Sequence, residues 1–253
     1  TPFGELRIRD VLDHASGLDC GDEYDDRQSC YYQYSMAIGD GHRDAKAPDN
    51  PYDFLATLKV KKLHEPGTHF SYSGTNNFVL MWLLEEISGQ TFNDLFSDMF
   101  WRHIGAEADA GLIAYRYGIS LSHGGFFSNM RDLARFGLLY TPSYQVISDK
   151  KIISDEHIAF MNEAGRPELY TNIGVPVAGS PNAPEPAIKH NIYQWGAVYT
   201  NGAMVHGGWG GQGLITNPVN DTVAVFTAYF PEDGESANLE TIILQLLADV
   251  FPE

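Results

Sequence analysis

Basic residues are scarce in this chain. Sixteen Lys plus Arg stand against 33 Asp plus Glu, a formal net charge of −17. An acidic surface repels phosphate backbones, so nucleic acid is not expected as a partner. Long apolar runs are missing too, and none reaches the length of a membrane span, although 43% hydrophobic residues suffice for a sizeable core in 253 residues. No signal-peptide pattern is present, and the first residue is Thr1 rather than Met. Cysteine is limited to Cys20 and Cys30, in one polar stretch. Their spacing permits a disulfide suited to an oxidising compartment, and equally permits two free thiols. There is no Gly-x-Ser-x-Gly elbow and no His-Glu-x-x-His pair, and the nine histidines show no ligand spacing, so neither metal nor cofactor is expected.

What is present divides by period. Ile8, Val11, Leu12 and Ala15 predict a helix over 5–15 that stops at Gly17. Residues 19–50 read as an irregular loop whose cluster Asp19, Asp22, Glu23, Asp25 and Asp26 is solvated rather than a calcium site. Further helices are expected over 53–62, 76–88 (capped by Thr75, ended by Gly89), 92–104 (with Thr91 and Asp94 as a capping box), 130–140, and after Ser154. Residues 163–190 read as a long surface loop. The period then changes to that of short strands at 192–198, 203–207, 212–217 and 222–230, closed by a helix at 237–250. The fold class is α+β: a mostly helical region over 1–190 carrying a Tyr-containing loop, then an antiparallel sheet covered by the C-terminal helix over 191–253, together one compact domain.

Some motif matches are coincidental. Gly208 to Gly213 spells Gly-x-Gly-x-x-Gly, but a strand pattern follows where a dinucleotide site needs a helix. Ser148-Asp149-Lys150-Lys151 is the one Ser-x-x-Lys, and it sits among turn residues.

Three stretches say more: Leu6 to Leu18 with its His14-Ala15-Ser16-Gly17-Leu18 end, Pro66-Gly67-Thr68-His69-Phe70-Ser71-Tyr72-Ser73-Gly74, and His206-Gly207-Gly208-Trp209-Gly210-Gly211-Gln212. In this order they resemble the β-lactamase and penicillin-binding-protein-like serine hydrolases. Gly124-Gly125 followed by Arg131 to Tyr140 looks most like the 6-aminohexanoate-dimer hydrolase branch and related esterases. The resemblance implies a β-lactamase/transpeptidase-like fold and hydrolysis of a small-molecule ester or amide through an acyl-enzyme. It implies catalytic roles for Tyr72, the proton-transfer tyrosine of the family's Tyr-x-Asn, and for His206, which stands in its Lys-Thr-Gly strand. Gly207, Gly208 and Trp209 would border the substrate, with the Trp209 amide as an oxyanion donor. Without the resemblance Tyr72 reads as a half-buried aromatic and His206 as a strand histidine. A phenol titrates near pH 10, so Tyr72 acts as a base only if cations lower that value. His14 is expected to be structural.

The sequence also departs from the family. Gly74 replaces the Asn of Tyr-x-Asn, and Asn76 is the expected stand-in at the substrate, with Asn77 as the alternative. No Ser-x-x-Lys nucleophile helix precedes Leu6, and the N-terminal strands that complete the family's sheet are not seen. The expectation is therefore a chain inactive alone, with an N-terminal fragment as the partner that supplies Ser-x-x-Lys. The alternative is a non-catalytic β-lactamase-like binding protein. The resemblance implies a periplasmic or secreted location.

Overall fold

The computed structural model describes residues 1–228 and 236–251. In chain order its helices are α1 (Ile8–Leu12), α2 (Cys30–Ile38), α3 (Pro51–Thr57), α4 (Gly74–Ser88), α5 (Phe92–Met99), α6 (Met130–Leu138), α7 (Asp155–Glu163), α8 (Glu168–Thr171) and α9 (Ser236–Val250). Its strands are β1 (Gly111–Leu112), β2 (Phe126–Phe127), β3 (Ile188–Ile192), β4 (Trp195–Tyr199), β5 (Met204–Gly207), β6 (Gly213–Asn217) and β7 (Thr222–Phe226). The α+β class is as expected, with helices plus an antiparallel sheet. Among the described residues no helix is long and apolar enough to cross a membrane.

The chain divides into two units. Thr1–Leu95, Gly111–Phe127 and Glu168–Val175 form one; Phe96–Ala110, Ser128–Pro167 and the chain from Pro176 onward form the other.

The first unit is built around α2 and α4. Tyr31, Tyr34, Phe78, Leu55 and Met81 are its most enclosed side chains. Each such burial contributes about 1.5–3 kcal/mol. Helix α2 lies inside the stretch expected to be loop, and corrects that expectation. Ser29 caps it by accepting the Tyr32 N–H at 3.0 Å, and Gly39 ends it at φ 99°. The expected helix over 5–15 is also shorter, because the chain turns at His14, whose φ is 53°. Helix α4 starts two residues earlier than expected, with Ser73 rather than Thr75 as its cap.

In the second unit β3 to β7 form one antiparallel sheet in sequence order. Side chains alternate across it. Val198, Met204 and Leu214 pack with Leu133 and Phe136 of α6 and Met161 of α7. Ala197, Val205 and Ile215 face Leu244 of α9, so the closing helix covers a face of the sheet as the sequence suggested. Helix α6 lies close on the sheet because Gly137 has no side chain; a Cβ there would stand 2.7 Å from Val223 Cγ1. The expected strand over 192–198 is instead a hairpin, broken at Tyr193 and Gln194 with φ of 46° and 71°. The expected strand over 222–230 ends at Phe226, and its last two residues lie outside the described ones.

Candidate active site

The Tyr72 segment of the first unit is held from several sides. Ser71 donates its N–H to the His14 carbonyl at 2.7 Å, and Ser73 donates its N–H to His14 Nδ1 at 3.3 Å. The buried His14 ring lies 4.5 Å from the Tyr72 ring, centroid to centroid, so His14 is structural in this sense. From the other side comes the loop closed by a Cys20–Cys30 disulfide, which resolves the choice between bonded and free thiols. Ser73 Oγ donates to the Cys20 carbonyl. Asp22 donates its N–H to the Tyr72 carbonyl at 3.3 Å and accepts the Gly74 N–H on Oδ1 at 2.9 Å. One member of the acidic loop is therefore not a solvated charge. Burial raises the Asp22 pKa to about 6, partly opposed by the Gly74, Tyr24 and Tyr31 hydrogen bonds.

The phenol itself is partly open to solvent, and its hydroxyl lies 3.5 Å from the His123 carbonyl. Burial raises its pKa to about 12, with the charge of Asp22 and the nearby Tyr24 adding to the effect and a hydrogen bond from Asn77 opposing it. A base role requires cationic neighbours; here an acidic side chain acts on the phenol instead. At neutral pH Tyr72 holds its proton and is suited to give it rather than to take one.

The His123 imidazole stands behind this segment. Tyr34 Oη is 3.1 Å from its Nδ1, and Tyr31 Oη is 3.5 Å from its Nε2. Burial lowers the His123 pKa to about 4, so the ring is neutral. It also explains the glycine in Tyr72-Ser73-Gly74. A Cβ on Gly74 would lie 2.8 Å from His123 Cδ2, so an asparagine there requires the imidazole to move. Asn76, the expected replacement, is fully enclosed, with Nδ2 3.5 Å from His14 Nδ1. The amide beside the phenol belongs to Asn77. The sequence reading missed Asp22 and His123 as site residues. The only hint of His123 was its place directly before Gly124-Gly125.

In the second unit His206 stands one residue before the end of β5, opposite Leu214, and the last residue, Gly207, pairs with Gly213. Desolvation lowers the His206 pKa, partly opposed by a hydrogen bond to the Gln194 backbone, which favours the neutral imidazole. The turn after it is fastened by Gln212. Gly208 donates to the Gln212 carbonyl at 2.7 Å, Gly210 to Gln212 Oε1 at 3.0 Å, and Gly211 to the Gly208 carbonyl at 3.1 Å. Gly211 sits at φ 91°, a conformation that favours glycine. Trp209 tops the turn with its indole 87% exposed, and among the described residues its N–H has no hydrogen-bond acceptor. Strand β6 follows the Gly-x-Gly-x-x-Gly match, so no helix N-terminus faces a phosphate there. Ser148 and Lys151 do not pair: Ser148 Oγ accepts the Lys150 N–H at 3.3 Å, while Lys151 reaches Asp155 and the Tyr144 ring. Among the described residues no group of three or more His, Cys, Asp or Glu side chains could hold a metal ion.

The family model described as Beta-lactamase matches residues 1–248. The chain belongs to this family. Within the beta-lactamase family it is 27% identical over 227 residues to the 6-aminohexanoate-dimer hydrolase of Paenarthrobacter ureafaciens, covering 89% of this chain and 55% of that protein. A provisionally named 6-aminohexanoate-dimer hydrolase from Bacillus anthracis has a similar fold, with a TM-score of 0.76 and 23% identity over 100% of this chain and 64% of that one. The hydrolase EstCE1, described as having promiscuous acyltransferase activity, follows with a TM-score of 0.65 and 18% identity over 92% of this chain and 70% of that one. The chain thus spans between half and two thirds of the length of the first two beta-lactamase-family relatives.

Proposed function

We propose that the full-length gene product hydrolyses a short linear amide or ester through an acyl-enzyme, with this chain supplying the proton donor and one oxyanion donor. The nucleophile in this reading is the serine of a Ser-x-x-Lys helix outside these 253 residues. Its Oγ attacks the substrate carbonyl, and its proton passes to the lysine amine one helical turn away. The carbonyl oxygen, now negative, is held by the serine's own amide and by the Trp209 N–H. Collapse breaks the bond to the leaving amine or alcohol, which takes its proton from Tyr72. Water then attacks the acyl-enzyme, giving a proton to the Tyr72 phenolate, while the lysine ammonium returns its proton to the departing serine Oγ, so that the acid leaves and both groups are restored. His206 polarises the substrate side of the strand, Gly207 and Gly208 let substrate approach the backbone, and Asn77 orients the phenol.

The observation that carries this reading is the Tyr72 segment, whose backbone is fixed by hydrogen bonds with His14 and Asp22 and through Ser73 with Cys20, with the phenol beside Asn77. The Trp209 backbone N–H supports it, since among the described residues it has no acceptor, and on a fastened turn it is ready for an oxyanion without reorganisation. The Paenarthrobacter relative is named for hydrolysis of a 6-aminohexanoate dimer, which supports a short amide over a β-lactam. The Cys20–Cys30 disulfide supports a periplasmic or secreted location.

The test is labelling of the full-length product with a fluorophosphonate probe and mapping of the adduct. Stoichiometric modification of one serine in a Ser-x-x-Lys sequence is expected. Absence of any adduct, with binding of candidate ligands intact, supports a binding protein instead.

A further inference from the structure

The carboxyl of Asp22 has no assigned task, yet it occupies a place that nothing in a solvated loop requires. Its backbone N–H holds the carbonyl of Tyr72, and its Oδ1 holds the N–H of Gly74, so one residue brackets the peptide units on either side of Ser73. The same loop is tied to that segment by the Ser73 Oγ bond to the Cys20 carbonyl, and it is closed on itself by the disulfide. Asp22 Oδ2 in turn lies 3.4 Å from Tyr24 Oη, and Tyr24 Oη lies 3.0 Å from Tyr31 Oη. The loop thus carries a carboxyl fixed against the backbone of the segment that bears the Tyr72 phenol.

We propose that Asp22 is a positioning residue for Tyr72: it fixes the Tyr72–Gly74 backbone and with it the direction in which the phenol presents its proton. This rests on the proposed hydrolase reading and adds to it the group that aims the Tyr72 donor. The titratable groups facing Asp22 are the Tyr24, Tyr31 and Tyr72 phenols and the Asp40 carboxyl, with His123 behind Tyr31 and Tyr34. Asp40 opposes ionisation of Asp22, and the Gly74 N–H and the phenols favour it.

A cost in stability accompanies this placement. The Asp22 pKa is about 6 in the fold against 3.8 for a free side chain. Its raised value means that the folded state is favoured while Asp22 is protonated and loses that advantage as the pH rises from about 4 to about 6. The loss approaches a hundredfold in the folded-to-unfolded ratio.

Three readouts on Asp22→Asn in the full-length product test the proposal, with Asp25→Asn in the same loop as the comparison. Spectrophotometric titration of tyrosinate, with Tyr72→Phe as reference, is expected to place the Tyr72 midpoint near 12 in the wild type and lower in Asp22→Asn. The melting temperature of Asp22→Asn relative to wild type is expected to rise between about pH 4 and about pH 8. On an amide substrate kcat is expected to fall about 10- to 100-fold with KM within about threefold, and the rise of kcat through about pH 6 is expected to disappear. An unmoved Tyr72 midpoint, or a stability difference independent of pH, overturns the proposal whether or not the protein turns over. Absence of turnover in the wild type with the midpoint shifted removes the hydrolase reading and leaves the Asp22–Tyr72 coupling standing.

Discussion

The disulfide offers a perturbation whose size follows from the chain alone. Cys20 and Cys30 are ten residues apart. Closing a loop of that length removes enough freedom from the unfolded chain to stabilise the fold by about 2.7 kcal/mol in the chain-entropy account. Both cysteines join structure rather than dangling from it: the Cys20 carbonyl accepts Ser73 Oγ, and Cys30 begins α2, the helix that buries Tyr31 and Tyr34. The native geometry therefore survives loss of the bond, and the entropic effect dominates. Replacing both cysteines with serine is expected to lower the melting temperature by about 5–11 °C for a chain of this size. Scanning calorimetry of the double variant beside the wild type, without reductant, measures it. The same loop bears Asp22, so the variant is also expected to lose activity more than a stable fold would explain. A melting temperature within about 1 °C of wild type refutes the argument, because it means the loop is equally restrained without the bond.

Three other expectations are independent of the first. Asp132 is fully buried and accepts the Glu107 and Ala108 N–H groups at 2.9 and 3.1 Å and Arg135 Nη1 at 2.7 Å; Asp132→Ala is expected to cost about 3–5 kcal/mol in urea unfolding at neutral pH. These bonds outweigh desolvation and lower its pKa, so the stabilisation is present above the free-carboxylate range and fades as the pH falls through the folded value; the gap between wild type and variant should narrow in acid. Gly17 sits at φ 71° with its missing Cβ pointing into the His64 carbonyl, so Gly17→Ala is expected to destabilise by about 2 kcal/mol or more by the same assay. Trp209→Ala removes an 87% exposed side chain and is expected to change stability by less than about 0.5 kcal/mol, while keeping its backbone N–H for the oxyanion.

What the sequence makes legible follows physical range. The stripe of α5 and the Thr91–Asp94 capping pair are local, and Thr91 Oγ1 does bond Asp94 at 2.8 Å. The hairpin at Tyr193-Gln194 escaped notice because neither residue announces positive φ as Asn-Gly would. Helix α2 was hidden by polar neighbours on both sides, though its Tyr31, Tyr34, Met36 and Ile38 are core residues. Tyr72 was singled out through the family resemblance and its Pro-Gly-Thr lead-in, and its role belongs to the proposed function. Asp22 and His123 were not, because their partners are distant in the chain: Gly74 for the first, Tyr31 and Tyr34 for the second. Only folding shows that a Cβ at Gly74 would meet His123.

The decisive measurement is single-turnover release of the leaving amine from a linear amide by the full-length product, wild type against Tyr72→Phe. Loss of the phenolic proton donor is expected to slow release by about 10²–10⁴-fold at unchanged melting temperature. Equal rates of release from the two proteins would show that the proton comes from elsewhere, and the account of this site would be wrong.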